Sequence, residues 1–419
     1  MQTRATLSLP FWFGKLLIAI ILSAIGITAK PLVAQEMPSI DATTLDGKVM
    51  CGYQAWFRCP DDGTNSSWQH WSRRPEITPR SLTFQMWPDL SEFTPSEKYA
   101  VPGMKYPDGT PAYLYSSVHQ KTIDRHFKWM QQYGIDGVFV QRFLVNLRQP
   151  SFDVILEQVR TSAQDTGRTF AVCYDLSGYP ADRIFDRLTK DWKQLCDERK
   201  VTRDERYLDH NGLPVVFIWG LYPDRFSSLT AHQLIDFFHE EGPYRATVIG
   251  GVPPDWRSEN NTGWAMAFRK LDVISPWNVG NIEMRGGEKL AHTHVWKEDL
   301  AEAQRSGAKL LPVIYPGFNW TNLKGPQAQR DTIPRRGGEF FWEQFVAAKK
   351  LGSGMAYVAM FDEVDEATAI YKVTNNPPFE AECATYEGLP SDWYLRLTGE
   401  GSKMIRGDAP LSEQIPIRP

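Results

Sequence analysis

Cysteine is scarce here. Five cysteines among 419 residues cannot form the dense disulfide framework of a small secreted scaffold, and their number is odd. Either Cys51 pairs with Cys59 and Cys173 with Cys196 in an oxidising compartment, or these are buried free thiols, with Cys383 left over. Charge of one sign is equally lacking. The net charge is −4, and no basic run exceeds a pair or so. That removes the electrostatic case for nucleic acid or an anionic membrane as partner. Several chemistries have no motif: there is no Gly-rich phosphate loop followed by Lys, no H-E-x-x-H, no zinc-ribbon spacing and no G-x-S-x-G. The acidic run near the C-terminus lacks the glycine and oxygen-ligand spacing of a calcium loop. We therefore expect no metal and no cofactor.

Long hydrophobic runs are missing too. The longest, Leu17 to Ala29, falls short of the roughly 20 residues that span a bilayer. With a basic start and small residues at Ala29 and Ala34 it reads as a secretory signal peptide over residues 1–34. The expectation is an exported protein, periplasmic or extracellular, with no stable membrane anchor after its removal. Aromatics, by contrast, are abundant: 15 Trp, 16 Tyr and 22 Phe. Trp suits cores, and it also suits sites that stack flat hydroxylated ligands.

From residue 35 to 419 the chain shows no repeat or long linker and reads as a single domain. Eight short β-branched or apolar runs recur: "KVMCGYQAW" from Lys48, "DGVFVQRF" from Asp136, "RTFAVCYD" from Arg168, "LPVVFIWG" from Leu213, "ATVIGGVP" from Ala246, "LDVISPWN" from Leu271, "KLLPVIYPG" from Lys309 and "GMAYVAMFDE" from Gly354. Amphipathic stretches such as "HQKTIDRHFKWMQQYG" and "EFFWEQFVAAKKLG" lie between them, several ending in the glycine that stops helices. Near-continuous apolar strands alternating with helices predict a parallel sheet covered on its outside. Eight units favour an α/β fold of the (β/α)8 TIM-barrel type over an open doubly wound sheet. The Trp-rich stretch from Phe57 to about Val118 reads as a long capping loop after the first strand.

In such barrels ligands meet the C-terminal strand ends. Those ends here carry Tyr53, Arg142, Tyr174, Asp175, Trp219, Trp277, Asn278 and Tyr315, then the cluster "MFDEVDEATAI" from Met360. Tyr174 and Asp175 either bind hydroxyls or satisfy each other in the core. Trp219 and Trp277 are either sugar platforms or plain core. Arg142 suits an acidic or heavily hydroxylated sugar.

Glu363 and Glu366 stand three positions apart. If the backbone turns helically, their Cβ atoms come within about 5–6 Å. Two carboxylates so placed do not both ionise cheaply, so one titrates high and serves as an acid. An acid and a base flanking one bond is the requirement of glycosidic cleavage. The other reading is that the acids sit at a helix N-terminus for its dipole.

The same segment resembles a known family. "FDEVDEATAI" is similar to the Asn-Glu-Trp-His-Glu-Gly-Thr-Gln-Ile segment of glycoside hydrolase family 99, the endo-α-mannosidases and endo-α-mannanases. "GYQAWF" followed by "WQHW" resembles its opening Tyr-x-x-Trp-Tyr and His-Trp signature. "YGIDGVFVQRF", "RYLDHNGLPVVFIWG", "YPGFNW" and "RRGGEFFWEQF" resemble further segments in the family's order. The likeness runs from about Val49 to Ile370 and is closest to the broader bacterial family 71/99-like group, some of whose members are described as xylosidase/arabinosidase. It implies that Glu363 is a base acting on the sugar's own 2-hydroxyl and that Glu366 is the acid that protonates the leaving oxygen and then activates water, with retention. It also implies roles for Tyr53, His70, Trp71 and Arg336, although Arg335 competes with Arg336 as the matching arginine. The departures are Asp362 for Asn, Val364 for Trp, Asp365 for His and Ala367 for Gly. Asp362, beside Glu363, would bind a hydroxyl or raise a carboxyl pKa. Mannose specificity does not carry over with neighbours so altered.

The sequence thus predicts an exported glycosidase acting on an oligo- or polysaccharide. Two rivals stand beside it: a carbohydrate-binding barrel without turnover, and a metal-dependent hydrolase built on the acidic cluster.

Overall fold

A computed structural model of the chain describes residues 39–419; the expected signal segment lies outside them. The parallel strands are β1 (Val49–Tyr53), β2 (Gly137–Phe143), β3 (Thr169–Asp175), β4 (Leu213–Trp219), β5 (Thr247–Val252), β6 (Val273–Pro276), β7 (Lys309–Leu310), β8 (Val313–Ile314) and β9 (Ala356–Val358). Their order across the sheet is β7-β6-β5-β4-β3-β2-β1-β9-β8. Every neighbouring pair is parallel, as in Cys51 opposite Val138 and Cys51 opposite Val358. The short strand Asp209–His210 adds antiparallel to β4. Such a sheet with intervening helices is consistent with an α/β barrel.

All eight apolar runs contain strands. The run from Lys309 differs from expectation in one respect: it is broken at Leu311–Pro312 into β7 and β8. Proline has no N–H to give a ladder, and the two halves pair with different partners, β7 with β6 and β8 with β9.

β1, β3 and β5 are buried along their whole length, as strands covered on both faces must be. The sheet interior is aromatic: Phe139, Phe217 and Tyr357 meet with ring centroids 5.2–5.6 Å apart. Each such ring contributes about 1.5–3 kcal/mol by burial, and together they form a rigid floor beneath the strand ends. On the outside lie α1 (Gln120–Tyr133), α2 (Pro150–Thr166), α3 (Ile184–Asp197), α4 (Ser228–His239), α5 (Thr262–Phe268), α6 (Trp296–Arg305), α7 (Glu339–Leu351) and α8 (Trp393–Arg406). α1 and α2 stop at Gly134 and Gly167, both in the left-handed conformation that ends helices without a Cβ penalty.

The stretch Phe57 to Val118 folds onto the acidic segment. Gln85 N–H donates to the Val364 carbonyl at 2.7 Å, and Pro88 bridges Val373. Trp71 and Trp87 are fully buried beneath it. All five cysteines are free thiols, so neither pairing forms. Cys59 instead donates through Sγ to the Tyr115 carbonyl.

Candidate active site

Because the strands are parallel, their carboxyl ends share one edge, and the acidic segment leaves β9 there. It does not turn helically. The Glu363 carbonyl accepts from both Thr368 N–H (3.1 Å) and Ala369 N–H (2.9 Å), and Ala367 takes φ 53°. The result is a tight loop that carries four acids in the five positions from Asp362 to Glu366. The helix-dipole reading of these acids falls with it, since no helix begins here.

Each acid has its own environment. Asp362 is fully buried; its two oxygens accept the backbone N–H groups of Gln54 and Ala55, both at 2.8 Å. Burial nevertheless pushes its carboxyl up to about 7. Glu363 accepts from the Gln54 side-chain Nε2 at 2.7 Å. Burial, then the Glu366 charge, then Asp365, raise it well above the ordinary carboxyl range. Asp365 is bound at Oδ2 by His70 Nδ1, 3.0 Å away. Glu366 is half-buried and opens on a cavity; burial and then Asp365 push it up to about 7, with Lys324 opposing. The Glu366 charge thus bears on Glu363, and burial and neighbouring acids raise both carboxyls, which favours retention of a proton in this cluster.

The cavity beside Glu366 has a volume of about 650 Å³, within the range of small-ligand sites. Its walls include Trp277, Ile282, Phe318 and Trp320, with Lys289, Arg330 and Asp331 at hand. Trp277 meets Trp219 edge-on at 5.3 Å. Trp320 is anchored through Nε1 to Asp331. The hairpin Ile282–Arg285 with Glu288–Ala291 supplies Ile282 and Lys289. Another cleft, of about 380 Å³, lies by Tyr106 and Tyr113 on the capping stretch and is lined by none of the four acids.

The other predicted residues fall into two groups. Around the acids are His70, stacked on Trp56 at 3.9 Å with an interplanar angle of 7°, and Tyr315, whose hydroxyl donates to the carbonyl of the cavity residue Asn281 at 2.7 Å. Asn278 is buried next to Trp277 with Nδ2 unpartnered. Asp175 ends β3 with burial holding its carboxyl up at about 6 and Ser177 N–H on Oδ1.

The second group is tied into the core. The Tyr53 hydroxyl meets His126 Nδ1 at 2.9 Å, and burial keeps that imidazole neutral, down at about 3. Trp71 stacks on Phe57 and donates to the Tyr115 carbonyl. Arg142 forks onto Asp191 at 2.9 and 2.7 Å and also reaches Asp153, while Tyr174 donates to the same Asp191. The strand-end polarity of Arg142 and Tyr174 is therefore answered by α3 rather than left for a ligand. Arg336 pairs with Glu343. It is Arg335, not Arg336, that touches the acidic loop: buried, it donates to the carbonyls of Ala367 and Ala369, each at 2.7 Å.

Trp56, an aromatic residue just beyond the end of the first strand, stacks on Phe143 at 5.1 Å and extends the wall behind His70. Sequence reasoning missed Gln54, Phe143 and the role of Asp365. Gln54 gave no signal, since its partner lies 309 positions away.

The fold is that of the family 99 glycoside hydrolases, matching the resemblance seen in the motifs. The GH99 endo-alpha-mannosidase from Bacteroides thetaiotaomicron superposes with a TM-score of 0.65 at 16% sequence identity, covering 87% of this chain and 99% of that one. The structure of the Bacteroides endo-alpha-mannosidase with bis-tris-propane gives a TM-score of 0.66 at 16% identity over the same shares. A glycoside hydrolase-like protein gives 0.50 at 14% identity, over 88% and 97%. At these identities the likeness is one of fold. No protein-family model matches the chain, and no curated protein matches it.

Proposed function

We propose that this protein is an exported glycoside hydrolase, with Glu363 and Glu366 as its working pair on a polysaccharide or glycan. The observation that carries the reading is the placement of the two carboxyls: Glu366 lines an aromatic-walled cavity, Glu363 lies buried on the same loop under the Gln54 amide, and both are raised by burial and neighbouring acids. The sheet is read as closing into a (β/α)8 barrel. In support, β7 and β8 are separated only by Leu311 and Pro312 yet pair with β6 and β9, near opposite ends of the sheet order.

The roles follow the family resemblance. Glu363 takes the proton of the sugar's 2-hydroxyl as that oxygen attacks C1. The glycosidic C1–O bond breaks, and the leaving oxygen takes its proton from Glu366. The Glu366 carboxylate then removes a proton from water as the water oxygen adds to C1. The C1–O2 bond opens, and O2 recovers its proton from Glu363. Retention results from two inversions at C1. Both carboxyls are raised by burial and by neighbouring acids. A sugar hydroxyl donating to Glu363 favours its anion, and displacing water from Glu366 favours its acid, the two states these roles require.

The altered residues Asp362, Val364, Asp365 and Ala367 leave endo-α-mannosidase-like and xylosidase/arabinosidase-like specificity both open. A screen of aryl glycosides and plant, yeast and bacterial polysaccharides, with product stereochemistry read by NMR, tests the reading. Release of sugar with retention supports it; binding without release supports a carbohydrate-binding barrel. Activity abolished by chelation and restored by a divalent cation points instead to a metal-dependent hydrolase. Against that rival, both oxygens of Asp362 are occupied by backbone N–H groups and Oδ2 of Asp365 is engaged by His70.

A further inference from the structure

Gln54 follows the last residue of β1 and makes two contacts with neighbouring acids of the loop after β9. Its backbone N–H donates to Asp362 Oδ1 at 2.8 Å, and its side-chain Nε2 donates to Glu363 Oε2 at 2.7 Å. β1 and β9 are paired, with Cys51 opposite Val358, and Phe361 N–H donates to the Gly52 carbonyl at 2.8 Å. The approach is so close that a Cβ on Gly52 would lie 2.2 Å from Met360 Cε and the Tyr357 hydroxyl. The Gln54 backbone is therefore fixed against the acidic loop before its side chain is considered. Gln54 is 6% exposed, and its Oε1 is buried without a partner.

The charges that face Glu363 are Glu366, Asp365 and Asp362 on its own loop, with the Tyr357 hydroxyl rising from β9. His70 acts on the group through Asp365, and Lys324 through Glu366. Burial and the three acids all push the Glu363 proton on. Among the leading influences only the Gln54 hydrogen bond acts the other way.

We propose that Gln54 is a positioning residue: its side-chain amide orients the Glu363 carboxylate and favours the ionised form that a base requires. This inference rests on the assignment of Glu363 as the base of the glycosidase reading.

The experiment is a ¹³C NMR titration of the Glu carboxyls in full-length protein labelled with ¹³C-glutamate, with E363Q assigning the Glu363 signal. Gln54→Met removes the donor at similar size; Gln54→Glu keeps the shape and replaces the donor by an acid. Loss of a hydrogen bond to a charged group corresponds to a rise in the Glu363 midpoint of about one pH unit or more. Both variants are expected to show it, with thermal unfolding near that of the wild type, so whichever variant folds suffices. A Glu363 midpoint unchanged in a folded variant overturns the proposal. Activity gives a separate readout. If the wild type cleaves a glycoside, the acid limb of kcat/KM is expected to move to higher pH in Gln54→Met with KM little changed, and an unmoved limb overturns the positioning role while leaving the glycosidase reading intact. If the wild type cleaves nothing, that reading fails, and the NMR midpoint still decides the role of Gln54.

Discussion

His70 Nδ1 lies 3.0 Å from Asp365 Oδ2, joining the capping stretch to the acidic loop across 295 positions of sequence. Asp365 is buried, so His70 is its compensation, and the Trp56 ring stacked against the imidazole fixes the angle of approach. Removing the imidazole takes away the side-chain partner of Oδ2, and Oδ1 is already buried without one. His70→Ala is expected to cost about 1–3 kcal/mol, measured by urea unfolding near neutral pH.

The charge of Asp365 also bears on the working pair. After burial, it is among the causes that raise both Glu363 and Glu366. Asp365→Asn keeps an oxygen for His70 and removes that charge, so both carboxyls should titrate lower. The pH profile of hydrolysis is expected to move toward acid, on both limbs, when kcat/KM is followed from pH 4 to 9.

The pair also sets a pH dependence of stability. A carboxyl raised in the folded state binds its proton there after the unfolded chain has lost it. The folded state then holds more protons, and stability falls as pH rises from about 4, the unfolded carboxyl value, through the folded one. For Glu366 the folded value is about 7. Glu366→Gln should therefore match the wild type at pH 4 and exceed it at pH 8 by about 1–3 kcal/mol. Thermal unfolding at the two pH values reads this directly. Such a gain is the usual sign of a site whose function opposes its stability.

Arg335 and Arg336 are neighbours with different tasks. Arg335 clamps the carbonyls of Ala367 and Ala369 and lies over the Tyr394 ring at 4.4 Å. Arg336 pairs with a partly exposed Glu343. Arg335→Met is expected to cost about 2–4 kcal/mol, because two loop carbonyls lose a charged donor, and to lower kcat by displacing Glu366. Arg336→Met should cost under about 1 kcal/mol and leave kcat unchanged. Denaturant unfolding and steady-state kinetics on both variants separate them.

Ala367 holds φ 53°, where an L side chain is strained. The related family segment has glycine at this position. Ala367→Gly is expected to stabilise by about 0.5–1 kcal/mol, the relieved strain outweighing the entropy of the freer chain. A higher melting temperature at unchanged activity is the result to look for.

These residues also show what the sequence made legible. The eight strand-bearing runs are legible because each is an apolar, β-branched run bounded by charge or glycine, a local property. The break at Pro312 was visible only in hindsight, since a proline inside an apolar run does not say which neighbours its two halves will choose. The acidic loop was found from composition, but its shape was not: the helical turn gave way to carbonyl contacts at Glu363 made by residues five and six positions on. Arg142 and Tyr174 stood at strand ends as predicted, and only tertiary packing showed Asp191 waiting for both. Gln54 acts on the loop from 309 positions away, a distance at which its own residue type carries no signal, whereas Arg335, 32 positions away, is offered by the motif only as an alternative to Arg336.

The most direct test compares wild type and Glu366→Gln on one pair of glycosides that share a sugar and differ in leaving group. A positioned general acid contributes about 10²- to 10⁴-fold, and most where the leaving oxygen is poor. The account predicts a loss of that order on the alkyl or glycan substrate and a much smaller loss on an activated aryl glycoside in the bond-breaking step. Equal rates for the two proteins on both substrates would contradict it.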